Sequence, residues 1–112
     1  MKTIIEGNKL IAEFMGIENY EANGYTNFIY EDDNHRTHVD LHYHGSWHWL
    51  MPVVETIESL GYEFIITESR SKIKHNTDHS IDNVCMRDAI ESKKQSVYLT
   101  VIEFIQWYNE NK

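Results

Sequence analysis

A chain of 112 residues that is 41% hydrophobic and 12% aromatic has the makings of one modest core in a single domain, residues 1–112, and not of a disordered acidic tail. Its 18 acidic and 10 basic side chains leave a formal net charge of -8, which argues against a broad phosphate-binding face and so against nucleic acid as a direct ligand. One cysteine, Cys85, rules out an intramolecular disulfide and a cysteine-built zinc motif, and no apolar run reaches the length of a signal peptide or a bilayer span. A soluble protein of a reducing cytoplasm, with no membrane partner, is expected.

In chain order, Asn8 to Gly16 has the pattern of a short helix, with Asn8 as cap, Gly16 as stop and Leu10, Ile11, Phe14 and Met15 as its apolar face. Thr3, Ile4 and Ile5 extend it backwards across a join weakened by Gly7. Residues 17–24 are polar and turn-rich and read as a loop. Tyr25 to Tyr30 is β-prone. Glu31 to His35 is a turn of residues that bond their own backbone. From Arg36 to His44 polar and apolar residues alternate, which predicts a second strand in an antiparallel hairpin, Val39, Leu41 and Tyr43 on one face and His38, Asp40, His42 and His44 on the other.

The strongest pattern is the central helix. Trp47, Leu50, Val53, Val54, Ile57 and Leu60 recur at spacings of three and four, Ser46 precedes them as a cap and Gly61 follows as a stop. Pro52 lies inside this pattern, so either the first turn stands apart or the helix kinks. Tyr62 to Glu68 follows as a strand. Residues 71–86 hold one or two short strands, Lys72–His75 and Ser80–Met86; Arg70 to His75 is the only short basic run and has a loop-like composition. A last helix starts near Ser92 and runs through Tyr108, burying Val97, Val101, Phe104, Ile105 and Tyr108, with Tyr98, Ile102 and Trp107 beside them. The order predicts an α+β fold, an antiparallel sheet of three to four strands sandwiched by about three helices.

The helical segments Asn8–Gly16, Ser46–Glu55 and Val97–Asn109 carry a resemblance. They are similar to segments of small uncharacterised bacteriophage and prophage proteins of the phage ABA-sandwich type and together cover about a third of the chain. The resemblance implies a sheet between helices, encoded on a phage or prophage and made in a bacterial host. It implies no activity, and it does not reach the histidine-bearing hairpin.

Seven histidines make the one pattern that suggests chemistry. His42 and His44, two apart on a strand, share a face with His38 and Asp40, and His48 follows at the helix entrance. Alternate strand histidines with a third ligand can hold a divalent zinc, manganese or iron ion, and a metal-dependent hydrolase would add an open coordination site and Asp40 as base. The plainer reading is the polar face of an edge strand, for which no cofactor is needed. Trp47 and Trp49 flank His48 and serve either as packing residues or as a stacking platform. Glu31, Asp32 and Asp33 do not have the spacing of a calcium loop, and Cys85 by default is a buried structural thiol.

With no nucleophile elbow, phosphate loop or dinucleotide fingerprint in the chain, no catalytic residue is assigned. The leading expectation is a non-enzymatic protein-binding module, contacting a host or phage protein through Tyr30, Tyr43, Trp49 and Trp107 if these lie exposed together. A homo-oligomer is the first partner to test. The alternatives are the metal protein built on His38, Asp40, His42, His44 and His48, and an acidic nucleic-acid mimic with Glu31, Asp32, Asp33, Asp40, Glu55 and Glu58 in one stripe.

Overall fold

The computed structural model describes residues 3–22, 24–29, 35–37, 41–75, 83–89 and 92–111. Within them lie three helices, α1 (Ile4–Phe14), α2 (Trp47–Ser59) and α3 (Lys93–Asn111), and six strands: β1 (Glu18–Ala22), β2 (Tyr25–Ile29), β3 (His35–Thr37), β4 (Tyr62–Ile66), β5 (Arg70–His75) and β6 (Asn83–Asp88). The fold is α+β with antiparallel sheets packed against helices, the class expected. The strands are shared between two three-stranded sheets, in the orders β1-β2-β3 and β4-β5-β6. Among the described residues no helix is long and apolar enough to cross a membrane.

α1 has the backward extension expected of Thr3 to Ile5, starting one turn before the Asn8–Gly16 pattern. Thr3 is the N-cap, its hydroxyl accepting the Glu6 amide at 3.2 Å, and Glu6 adds a carboxylate to the first turn, where the helix dipole favours one. Thr3-Ile4-Ile5-Glu6 is thus a capping-box sequence. Asn8 is not the cap. It lies inside the helix, 2% exposed, on a buried stripe with Gly7, Ile11 and Ala12.

The segment read as a loop after α1 forms β1, with Ala22 paired to Tyr25 across a two-residue connection. That connection is Asn-Gly in sequence, and Gly24 sits at φ +80°, where a side chain would be strained. β1 went unread because it buries nothing: Glu18 to Glu21 are exposed, so no hydrophobic alternation marks it. β2 is the centre of this sheet and contributes Phe28, fully buried. The expected antiparallel pairing of β2 with the next strand is present, Asn27 to Thr37 and Ile29 to His35. Residues 38–40 lie outside the described residues. Leu41 and Tyr43 beyond them are buried while His42 is exposed, so the alternation holds there although 41–44 are not strand.

α2 runs unbroken through Pro52, which can donate no bond to the carbonyl of His48. Leu50, Val53, Val54 and Ile57 are buried along its inner face. At about 1.5–3 kcal/mol for each such side chain, their burial exceeds the ~3 kcal/mol that an interior proline costs. Ser46 occupies the N-cap position without a side-chain cap bond, Leu60 is exposed rather than on the stripe, and Gly61, at φ +98°, closes the helix as expected.

In the second sheet Phe64, Ile73 and Cys85 stand in register across β4, β5 and β6, all buried. The basic run Arg70–His75 is the central strand of this sheet and not a loop. Its face away from the helices carries Lys74 bridged to Glu63 at 3.6 Å, together with exposed Met86.

α3 is buried on two opposite sides. Toward the sheet, Ser96 bonds Ser71 at 2.9 Å and the Arg87 carbonyl at 2.9 Å, and Thr100 bonds the Ser71 carbonyl at 3.4 Å. Small hydroxyl residues let the helix approach the strands closely while keeping their buried oxygens paired. Toward α1, the Tyr98 hydroxyl donates to the Ile4 carbonyl at 3.2 Å. A Cβ on Gly7 would fall on that hydroxyl, well inside contact distance, and also against Ile102. Gly7 is therefore the point where the helices meet and not a weak join. Gly7→Ala gains about 1 kcal/mol of helix propensity but overpacks this contact, for an expected net loss of about 1–2 kcal/mol in urea unfolding. Adding Tyr98→Phe, which removes the clashing oxygen, is expected to recover part of that loss.

Candidate functional site

Between the first turns of α1 and the length of α3 lies an open cleft of about 890 Å³, closed at its sides by Arg87 of β6 and His44 of the loop before α2. Ile4, Leu99 and Ile102 supply apolar wall. Arg87, Lys94, His44 and Glu103 supply charge and hydrogen-bonding capacity. A second hollow of about 530 Å³, where Leu10, Phe14, Leu60 and Tyr108 meet, has Glu13 as its charged group and gathers no comparable set of donors.

His44 is held from below. The buried Asn8 amide donates to the Leu41 carbonyl at 3.0 Å and bonds His44 Nδ1 at 2.9 Å. An amide nitrogen can only donate, so the neutral His44 ring accepts at Nδ1 and carries its proton on Nε2. Turning the Asn8 amide over would set its oxygen against the Leu41 carbonyl, so its orientation is fixed by the two acceptors; its Oδ1 has no partner among the described residues. A run of rings joins this point to the entrance of α2. His44 stacks on His42 (6.4 Å between centroids) and meets Tyr98 edge-on (6.3 Å). His42 in turn meets Trp49 (5.5 Å), and Trp49 meets Tyr43 (5.2 Å).

This arrangement sorts the residues expected from sequence. His42 and His44 are brought together, His42 exposed and His44 half-buried, while His48 is exposed on α2. His38, Asp40 and Tyr30, and with them Glu31, Asp32 and Asp33, lie outside the described residues. Among the described residues no three His, Cys, Asp or Glu side chains gather as a metal-holding group, and Nδ1 of His44 is already engaged by Asn8. Tyr43 is 4% exposed and belongs to the core, so it offers no contact surface. Its inward direction follows from Leu41 and Tyr43 anchoring the loop while the histidines alternate outward. Trp49 and Trp107 are half-buried, the latter packed on Tyr62 (6.1 Å) and Phe104 (5.9 Å). Sequence reasoning missed Arg87, Lys94, Tyr98 and Glu103 as neighbours of His44. They come from β6 and α3, and no local pattern connects them to residue 44.

Two ionisation shifts bear on the chemistry. Burial pushes the Cys85 thiol up to about 12, with Glu103 adding to the effect and Arg87 opposing it, so it is neither a nucleophile nor a thiolate ligand at neutral pH. His44 lies below its usual 6.5 because burial disfavours the imidazolium and a charge on His42 disfavours it further. Comparison with protein-family models, with curated proteins and with solved structures finds no match.

Two measurements follow. Because the folded His44 binds its proton less tightly than the unfolded chain does, the unfolded state takes up more protons just below pH 6.5; stability rises with pH through that window and falls on acidification. The melting temperature is expected to drop as the pH is lowered below 6.5, and His44→Gln, which keeps an acceptor for Asn8 and cannot titrate, is expected to remove that part of the drop. An unchanged slope would show that other groups cause it. Cys85 is expected to react with a thiol reagent only as fast as the protein unfolds, checked by comparing labelling in buffer and in denaturant.

Proposed function

We propose that this protein is a non-enzymatic binding module of phage or prophage origin, and that the cleft between α1 and α3 is where it holds a protein of the host or the phage. The observation that carries the reading is the make-up of that cleft: apolar wall from Ile4, Leu99 and Ile102 beside the donors of His44, Arg87 and Lys94. Apolar side chains rimmed by polar donors are the usual composition of a protein–protein contact patch. The titratable groups nearest to catalysis by type are committed elsewhere. Cys85 is a buried, protonated thiol, and His44 is fixed by Asn8 and by the rings of His42 and Tyr98. Ile4, 53% exposed on the first turn of α1, is a large apolar side chain at the rim of the cleft, available to a partner.

A photo-crosslinking residue at Gln106, an exposed position lining the cleft, tests this in bacterial cells, with Glu68 on the turn after β4 as the control position. Adducts with one protein are expected from position 106 and not from 68, and they are expected to disappear when Ile4→Glu is added. That substitution puts a carboxylate in the first turn of α1, which the helix tolerates, so its far-ultraviolet circular dichroism is expected to be unchanged. Equal adducts from both positions, or none from 106, would refute the reading. An adduct between two copies would assign the cleft to self-association instead.

A further inference from the structure

The cleft also shows what chemistry its occupant has, an inference that rests on the binding reading above. α3 opens with Lys93-Lys94 and has no acidic residue in its first turn. Two ammonium groups thus sit at the end of a 19-residue helix that already carries the positive end of its dipole, where a carboxylate is the stabilising choice. Lys94, Arg87 and His44 line one cleft, and Glu103 is the one carboxylate among the described residues that line it. Glu103 is already taken, bonded by Arg87 Nε at 2.6 Å. That bond uses one edge of the guanidinium and leaves its outer nitrogens to other acceptors. Lys94 Nζ donates to the Gly45 carbonyl at 3.3 Å, which occupies one of three N–H bonds. His44, accepting from Asn8 at Nδ1, presents Nε2–H as a donor.

Each of these groups offers an N–H to an acceptor, and Lys94 and Arg87 add two positive charges against the one carboxylate of Glu103. They do so in a chain whose net charge is -8, so the local sign opposes the global one. We propose that the α1–α3 cleft binds an acidic segment of a partner protein, its Asp or Glu carboxylates on Lys94, Arg87 and His44 and an apolar side chain against Ile4, Leu99 and Ile102. The acidic remainder of the surface repels such a segment, which confines it to the cleft.

Fluorescence anisotropy on the full chain, with a labelled peptide alternating Glu and Leu as probe, tests this. Binding is expected, at least tenfold weaker for the same peptide with Gln in place of Glu and at least tenfold weaker for Lys94→Glu, and it is expected to decline steadily as salt is raised from about 0.05 to about 0.5 M. Circular dichroism checks that the variant is folded; if it is not, Arg87→Gln replaces it, with at least a threefold loss expected. No binding of the Glu peptide, or no loss in the folded variant, overturns the proposal. Equal binding of the Gln peptide, abolished by Ile4→Glu, also overturns it, yet leaves the cleft as a protein-binding site. Displacement by free glutarate at the same concentration as unlabelled peptide would make the ligand a small dicarboxylate and not a protein segment. Absence of cleft-dependent adducts in the crosslinking experiment would remove the binding reading itself.

Discussion

The arrangement of this protein depends on α3 being packed on both sides at once. On one side Ser96 and Thr100 share hydrogen bonds with β5 and β6, and on the other Tyr98 reaches the first turn of α1 over the bare backbone of Gly7. A helix with two covered faces cannot be read as simply amphipathic. Its apolar residues Val97, Val101, Phe104 and Ile105 are buried beside small hydroxyl residues that are just as buried. The hydroxyls cost little to bury because each has a partner, and they permit an approach that larger apolar side chains would prevent. α1 and the second sheet are joined chiefly through this helix, so the cleft between α1 and α3 inherits its shape from it.

Above that framework the loop before α2 is fixed by one buried amide. Asn8 ties the Leu41 carbonyl and the His44 ring to α1 from within the helix. Both acceptors sit far away in sequence, and the amide is the partner of the Leu41 carbonyl among the described residues, so its loss is expected to cost about 1–3 kcal/mol. The same bond decides which nitrogen of His44 carries the proton. A packing device of the core thus settles what one wall of the cleft offers to a ligand. The ring chain from Tyr98 through His44, His42 and Trp49 to Tyr43 continues this support to the N-terminus of α2.

Charge acts at two scales. The acidic excess of the whole chain governs long-range encounter with other molecules, whereas Lys94 and Arg87 set the field inside one hollow. The surface bridge between Arg87 and Glu103, both side chains well exposed, is worth at most about 1 kcal/mol to stability. Its greater consequence is to use up the cleft's own carboxylate.

The three helices and the antiparallel pairing of β2 with β3 are legible along the chain, because each is written in local periodicity or in a stop such as Gly61; the alternation through Leu41 and Tyr43 separates them from the histidines without saying which face is inward, and Tyr43, expected as a contact residue, lies in the core. The sequence also held signals that local reading passed over: Thr3-Ile4-Ile5-Glu6 as a cap and Asn23-Gly24 as a hairpin connection, the latter hidden because β1 buries no side chain that would betray it. Which distant residues meet is set by the way the helices and sheets stack. Asn8 looked like a cap and is a core donor; Gly7 looked like a weakness and is a contact point; His44 belongs with Arg87, Lys94 and Tyr98 and not only with its strand neighbours. The physical reason is that hydrophobic spacing records whether a face is buried, while the identity of the group on the other side of a buried polar atom depends on how elements are stacked, and no spacing along the chain records that.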